Sequence, residues 1–184
     1  MTEWEIILPP NYWGKNKNEI QNNPLDMTLV KSREKWYGSD DHSRWVFEDD
    51  GLYYKLWNET YIRKNGVKLG IDIGFYDEST TPALVSLIYH DDVCRGYVTK
   101  KCDECFGDVK SFYEVVENKT METNHFVYDF TEKHIMKFEN KFSLIDLEGI
   151  YPLSKYEEIA EDMNNASFSS EKYREFVYEI YKNQ

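Results

Sequence analysis

The 184-residue sequence predicts an α+β fold, with β-rich segments concentrated in its first half and helical segments in its second. Two β-rich runs flank an Asp-Gly turn signal at Asp50-Gly51, and a further pair of apolar runs flanks His90-Asp91-Asp92. The chain then closes on two segments of helical period. No internal repeat or low-complexity tract interrupts this layout.

Residues 1–35 are polar and irregular, with Pro9-Pro10, an Asn/Lys-rich stretch from Asn16 to Asn23, and Pro24. They read as an extended or partly helical arm that caps another element. Trp45-Val46-Phe47-Glu48, the turn Asp49-Asp50-Gly51 and Leu52-Tyr53-Tyr54-Lys55-Leu56-Trp57 make a hairpin. Residues 59–76 carry apolar positions at Tyr61, Ile62, Leu69, Ile73, Phe75 and Tyr76 and read as a helix. Gly66, Gly70 and Gly74 weaken it, each by about 1 kcal/mol relative to Ala.

After the turn-rich segment that ends at Pro82, Ala83 to Tyr89 is an apolar strand, and Cys94 to Thr99 returns as its partner. Val109, Phe112, Val115 and Val116 give residues 108–119 a helical spacing. Phe126–Tyr128, Ile135–Phe138 and Phe142–Ile145 are three short strands, the last two joined by the turn Glu139-Asn140-Lys141. Ser154–Met163 and Ser170–Tyr181 are helical, the second opened by a Ser-Ser-Glu capping signal. Tyr173, Phe176, Val177, Ile180 and Tyr181 form the buried stripe of the last helix, whereas Glu157, Glu158, Glu161 and Asp162 form a solvated face. Trp36, Trp45, Trp57 and Phe75 are expected in the core.

The length is room for one domain, here residues 1–184. Apolar residues at 41% and charged residues at 30% exclude a disordered tail, and aromatics at 16% predict a core built from large rings. With 34 acidic against 22 basic residues the net charge is −12, which repels phosphate backbones. Nucleic acid is therefore excluded as the main partner, and a local basic pocket for one nucleotide is not.

No run of about 18 apolar residues exists, so no membrane span is expected. The start, Met-Thr-Glu-Trp-Glu, lacks the basic and apolar regions of a signal peptide. Three cysteines suit reduced thiols, and a cytoplasmic location is expected. Cys102 and Cys105 form one CxxC with Cys94 upstream, but no second pair completes a zinc site, so these read as surface or half-buried thiols.

Four positions carry the chemistry. Lys55 sits in the middle of an aromatic strand, where a charge needs a partner. Asp129 follows an apolar strand, and five residues later His134 opens the next. Asp146 ends the strand after that and is followed by Leu147-Glu148-Gly149. A hairpin flanked by these carboxylates brings Asp129, His134 and Asp146 to one end of a small sheet.

Each residue alone has an ordinary structural role. Lys55 could snorkel to water, Asp129 and Asp146 are turn residues, His134 is a hydrogen-bonded structural histidine, and Glu148 is turn chemistry before Gly149. Their joint order and spacing is what points to phosphoryl transfer. That reaction needs a cation on the phosphates, carboxylates for Mg²⁺ and a carboxylate for the acceptor hydroxyl.

The order resembles the protein-kinase-like superfamily of protein kinases and aminoglycoside and choline phosphotransferases. The resemblance spans roughly residues 44–150. It implies a small β-rich N-lobe (36–99) after the arm and a truncated, mainly helical C-lobe (100–184). Asp129 matches the catalytic Asp, His134 falls on the family's Asn, and Asp146-Leu147-Glu148 is similar to the Asp-x-Glu of the small-molecule phosphotransferases.

By the same resemblance Lys55 grips the phosphates and Asp72 is its acidic partner, with Asp77 and Glu59 as competitors for that role. Gly96, Tyr97, Val98 and Thr99 enter the hinge whose backbone grips an adenine edge. Asp146, with His134 or Glu148, holds the metal. The implied activity is ATP-dependent phosphoryl transfer to a protein or small-molecule hydroxyl, with ATP and Mg²⁺ (or Mn²⁺).

Several departures favour a different outcome. No Gly-x-Gly-x-x-Gly precedes Lys55, and Tyr37 to Arg44 stands in its place with two Asp. His134 prefers softer ions than Mg²⁺, Val127 stands where the family has His or Tyr, and the chain after Asp146 is too short for a full helical lobe. They suit a pseudokinase-like interaction domain with weak or no nucleotide turnover. An unrelated α+β binding protein, with incidental carboxylates, is the further alternative.

Overall fold

The computed structural model describes residues 4–7, 44–49, 51–57, 66–90, 93–105, 107–165 and 170–184. Its first half is organised by a sheet of β1 (Trp4–Ile7), β2 (Arg44–Asp49), β3 (Leu52–Trp57), β4 (Leu84–His90) and β5 (Val93–Lys100). All neighbours are antiparallel, in the order β1-β4-β5-β3-β2. In the β2–β3 hairpin Asp49 faces Leu52, which leaves Asp50-Gly51 as a two-residue loop. Gly51 has φ +73, the left-handed conformation that such a loop needs. The arm is extended where it is described, since β1 adds to the open edge of β4 with Trp4 opposite His90. Trp36 and Glu59 lie outside the described residues, whereas Phe75 is fully buried.

The helix expected over 59–76 is described only as α1 (Gly66–Asp72). Gly74, at φ +78, turns the chain back, and the Tyr76 N–H bonds the Gly70 carbonyl at 2.9 Å. Two of its glycines are demanded by packing. A Cβ on Gly70 would fall 2.2 Å from the Tyr76 ring, and one on Gly66 would fall 1.7 Å from the Glu148 carbonyl oxygen. Residues that weaken the isolated helix are thus those that let it press against its neighbours.

The second half comprises β6 (Asp103–Glu104), α2 (Lys110–Thr123), β7 (His125–Val127), β8 (Ile135–Phe138), β9 (Lys141–Leu144), β10 (Ile150–Pro152), α3 (Tyr156–Asn165) and α4 (Glu171–Lys182). The fold is α+β, but its second half is less purely helical than expected. The β8–β9 hairpin turns on Glu139, at φ +54, and receives β6 on its other side. β7 pairs with β10 instead, Val127 opposite Ile150. Such partners are chosen by tertiary packing, which short apolar runs do not specify.

Aromatic rings build the core beneath these elements, as the composition predicts. Phe130 is fully buried between Tyr113 of α2 and Tyr173 of α4, at centroid distances of 4.7 and 4.8 Å. The Tyr173 hydroxyl shares a hydrogen bond with the Thr120 hydroxyl (2.8 Å) and accepts the Val127 N–H (3.2 Å). Ser170 caps α4 by accepting the Tyr173 N–H at 3.4 Å. Tyr173 and Val177 are the buried part of the predicted stripe, with Phe176, Ile180 and Tyr181 half-buried.

All three cysteines are free. Cys94 is buried rather than surface-lying, and burial pushes its thiol up to about 11. Among the described residues no helix is long and apolar enough to cross a membrane.

Candidate functional site

Two pieces of backbone bring the chemistry together. Lys55 sits in mid-β3, with Val46 opposite on β2 and Tyr97 opposite on β5. Tyr53, two residues earlier, shares its face of the sheet. From the second half, the Ile145 N–H bonds the His134 carbonyl (3.2 Å), which carries the β8–β9 ladder one step beyond the strands and leaves Asp146 at its mouth. Asp129 is held on both sides, by the Tyr128 N–H on the Gly149 carbonyl (2.6 Å) and by the buried Phe130 ring.

The Lys55 ammonium lies 2.5 Å from Asp146 Oδ1 and 2.5 Å from Glu148 Oε1. Nζ is also 5.8 Å from the centroid of the Tyr97 ring. Burial alone would lower the Lys55 pKa, but Glu148, with Tyr97 and Asp146, outweighs it and holds the value well above the usual range. Burial likewise pushes Asp146 up, while Lys55 and a hydrogen bond with Glu148 hold it well below the ordinary carboxylate range. Glu148 is only 5% exposed; burial raises its carboxyl, Lys55 opposes the rise and Asp146 adds to it.

His134 completes the group. Its Nδ1 is 3.0 Å from the Asp129 carbonyl oxygen, and a carbonyl only accepts, so Nδ1 carries the proton. A neutral ring therefore presents the Nε2 lone pair, which lies 3.7 Å from Asp146 Oδ2. Two lone pairs facing across that gap are favourable only with a proton or a cation between them. One donor atom from each of Asp129, His134 and Asp146 lies within 4.8 Å of the others, so the three are spaced to hold a metal ion. Two carboxylates and an imidazole fit a borderline divalent cation, Mn²⁺ better than Mg²⁺.

A cavity of about 340 Å³ opens onto these groups. Lys55, Asp146 and His134 form its polar end, and Tyr53, Met136 and Ile145 are among its apolar walls. Thr99, Lys100 and Cys102 also line it.

The structure seats several of the sequence-based candidates differently from expectation. Asp72 does not meet Lys55; it pairs with Lys68 one turn back on α1, and both are exposed. Asp77 is taken by Lys119 at 2.5 Å. Gly96, Tyr97, Val98 and Thr99 lie in an interior strand: Gly96 faces Leu56 and Ile88, and Val98 faces Tyr54 and Ser86. That backbone is committed to the sheet, while Tyr97 and Thr99 line the cavity together with Lys100 and Cys102. Glu148 stands outside the Asp129–His134–Asp146 group and on Lys55 instead. The residues at 37–43, in place of a glycine loop, lie outside the described residues.

Sequence reasoning named Tyr97 only as a hinge residue and Tyr76 only as an apolar helix position, and did not foresee that both hold the site. The Tyr97 hydroxyl donates to the Ile145 carbonyl (3.0 Å) and accepts the Leu147 N–H (3.4 Å), while the Tyr76 hydroxyl donates to the Leu147 carbonyl (2.8 Å). Strand alternation could have placed Tyr53 beside Lys55. Nothing in the sequence sets Tyr97 opposite Lys55, because register is settled between strands.

No protein-family model matches the chain, and no curated protein matches it. Its structure is similar to the crystal structure of WbdD, with a TM-score of 0.41 and 13% sequence identity over 88% of this chain and 42% of that one. The chain thus spans less than half the length of that neighbour, and a likeness of this size carries no inference about activity.

Proposed function

We propose that the chain is a minimal protein-kinase-like phosphotransferase that moves the γ-phosphoryl group of ATP to a hydroxyl of a protein or small molecule. The supporting observation is the meeting of Lys55 with Asp146 at the polar end of the cavity, beside Asp129 and His134. In this reading the base lies against Tyr53, Met136 and Ile145, with the phosphates toward Lys55. The ammonium neutralises phosphate charge, as the reaction requires.

Asp129, which is about a quarter exposed, orients the acceptor hydroxyl and takes its proton. The acceptor oxygen bonds to the γ-phosphorus as the bond to the ADP leaving oxygen breaks. Asp146, His134 and Asp129 would hold a divalent cation, which supplies positive charge to the phosphates when bound. The free thiols suit a reducing, cytoplasm-like compartment.

A second reading, nucleotide binding without turnover as in a pseudokinase-like interaction domain, draws on Lys55 being already matched by two carboxylates at 2.5 Å. Thermal unfolding with ATP, with and without Mg²⁺ or Mn²⁺, separates the two. Ligand at about 100 times its dissociation constant adds about 2.7 kcal/mol, or roughly 5–11 °C at this size. Phosphotransfer predicts a metal-dependent rise that Asp146→Ala abolishes. A metal-independent rise favours binding alone, and no rise at millimolar ATP overturns both.

A further inference from the structure

We propose that Glu148 is the positioning residue for Lys55, so that one loop, Asp146-Leu147-Glu148, supplies both a cluster ligand and the anchor of the phosphate-gripping lysine. Its consequence for nucleotide binding rests on the phosphotransferase reading; the placement of Lys55 does not. Glu148 Oε1 is 2.5 Å from Lys55 Nζ, and Oε2 faces the Tyr97 hydroxyl at 3.5 Å. Oε1 thus meets the lysine of β3 and Oε2 the tyrosine of β5, while the carboxylate also shares a hydrogen bond with Asp146. The resemblance would draw the lysine's partner from α1, but the acid that α1 offers, Asp72, is turned to Lys68.

The loop is built to hold that position. Leu147 is fully buried, and its N–H and carbonyl are both taken by tyrosine hydroxyls, Tyr97 and Tyr76. The start of α1 bears on the Glu148 carbonyl so closely that only Gly66 fits there. A lysine fixed by this loop is placed relative to Asp146 by the loop itself, with Gly66 of α1 packed against it. The cation and the ligand cluster therefore behave as one preassembled unit.

The test uses the full chain with Glu148→Leu, Glu148→Gln, Lys55→Met and the double variant Lys55→Met/Glu148→Leu. Three quantities are read: acetylation of Lys55 by an amine-reactive ester without nucleotide, Mn²⁺ affinity without nucleotide, and ATP affinity. Glu148→Leu is expected to raise Lys55 acetylation and weaken ATP binding by about tenfold, as loss of an orienting partner typically does. Lys119 acetylation stays at the wild-type level. Glu148→Gln keeps an acceptor oxygen for the ammonium and restores Lys55 protection.

Unchanged Lys55 acetylation in Glu148→Leu overturns the proposal, and a loss of Mn²⁺ affinity alongside it makes Glu148 a metal ligand instead. If Glu148→Leu alone fails to fold, recovery of folding in the double variant supports the pairing, and failure of both assigns Glu148 a purely structural role. Wild-type protein that binds no ATP, yet loses Lys55 protection in Glu148→Leu, removes the phosphotransferase reading and leaves the placement of Lys55 standing.

Discussion

Lys55 and Lys119 each hold a carboxylate at 2.5 Å, and their side chains are 15% and 17% exposed, yet the two regions differ in what the contact does. Lys119 binds Asp77, 37% exposed, and lies 3.7 Å from Glu122, 64% exposed, so both of its partners still meet water. Lys55 faces two carboxylates, one of them 21% and the other 4% exposed, and both come from the loop after β9. Contact length therefore does not rank ion pairs. What ranks them is how much water each partner gave up, because an uncompensated buried charge is far more costly than an exposed one.

The largest effect should come from breaking the buried set. Lys55→Ala leaves Asp146 and Glu148 facing each other without their cation, at a cost of about 3 kcal/mol or more in urea denaturation. A loss of only a few tenths would reduce Lys55 to a snorkelling surface residue and dissolve the contrast. Next comes Gly66→Ala, which pits two terms against each other. Helix propensity gains less than the interior value of about 1 kcal/mol, because Gly66 opens α1, while a Cβ 1.7 Å from the Glu148 carbonyl oxygen forces the loop to move, an overpacking penalty of about 1–3 kcal/mol. Net destabilisation by thermal melting is expected, and a stabilised variant would show that the loop yields freely.

The smallest effect belongs to the other region. Lys119→Ala should cost about 1 kcal/mol or less. Its signature is in the pH profile. Burial alone would raise the Asp77 carboxyl, but hydrogen bonds from Lys119 and Ser79 outweigh it and hold the value below the usual one. A lowered folded-state pKa stabilises the protein above the unfolded value, and that stability is lost as pH falls through the folded value. Wild type should therefore lose stability more steeply than Lys119→Ala on the acid side. Parallel acid limbs would remove Asp77 from the acid response.

Much of the architecture was legible because its signals are local. Asp50-Gly51 between two β-rich runs specifies a hairpin, and Ser-Ser-Glu before Tyr173 specifies the start of α4, from a few neighbouring residues each. The approach of Asp129, His134 and Asp146 was legible for the same reason, since a short hairpin returns the chain to where it left. The partner of Lys55 was not. The sequence offered Asp72, with Asp77 and Glu59 as competitors, and set Glu148 with the metal, and packing decides otherwise: α1 presents Asp72 to Lys68, α2 brings Lys119 to Asp77, and the tyrosine-held loop brings Glu148 to Lys55.

By itself the sequence determined the alternation of strands and helices, the aromatic core and the three residues that close one end of the β8–β9 hairpin. These follow from side-chain period, turn chemistry and short loop closure, all of which act over a few residues. Only the tertiary structure decided that Tyr97 stands opposite Lys55, that β7 pairs with β10, and that Glu148 is withdrawn from water to meet a lysine from a distant strand. Register and desolvation are properties of surfaces brought together from distant parts of the chain, and no local pattern encodes which surfaces will meet.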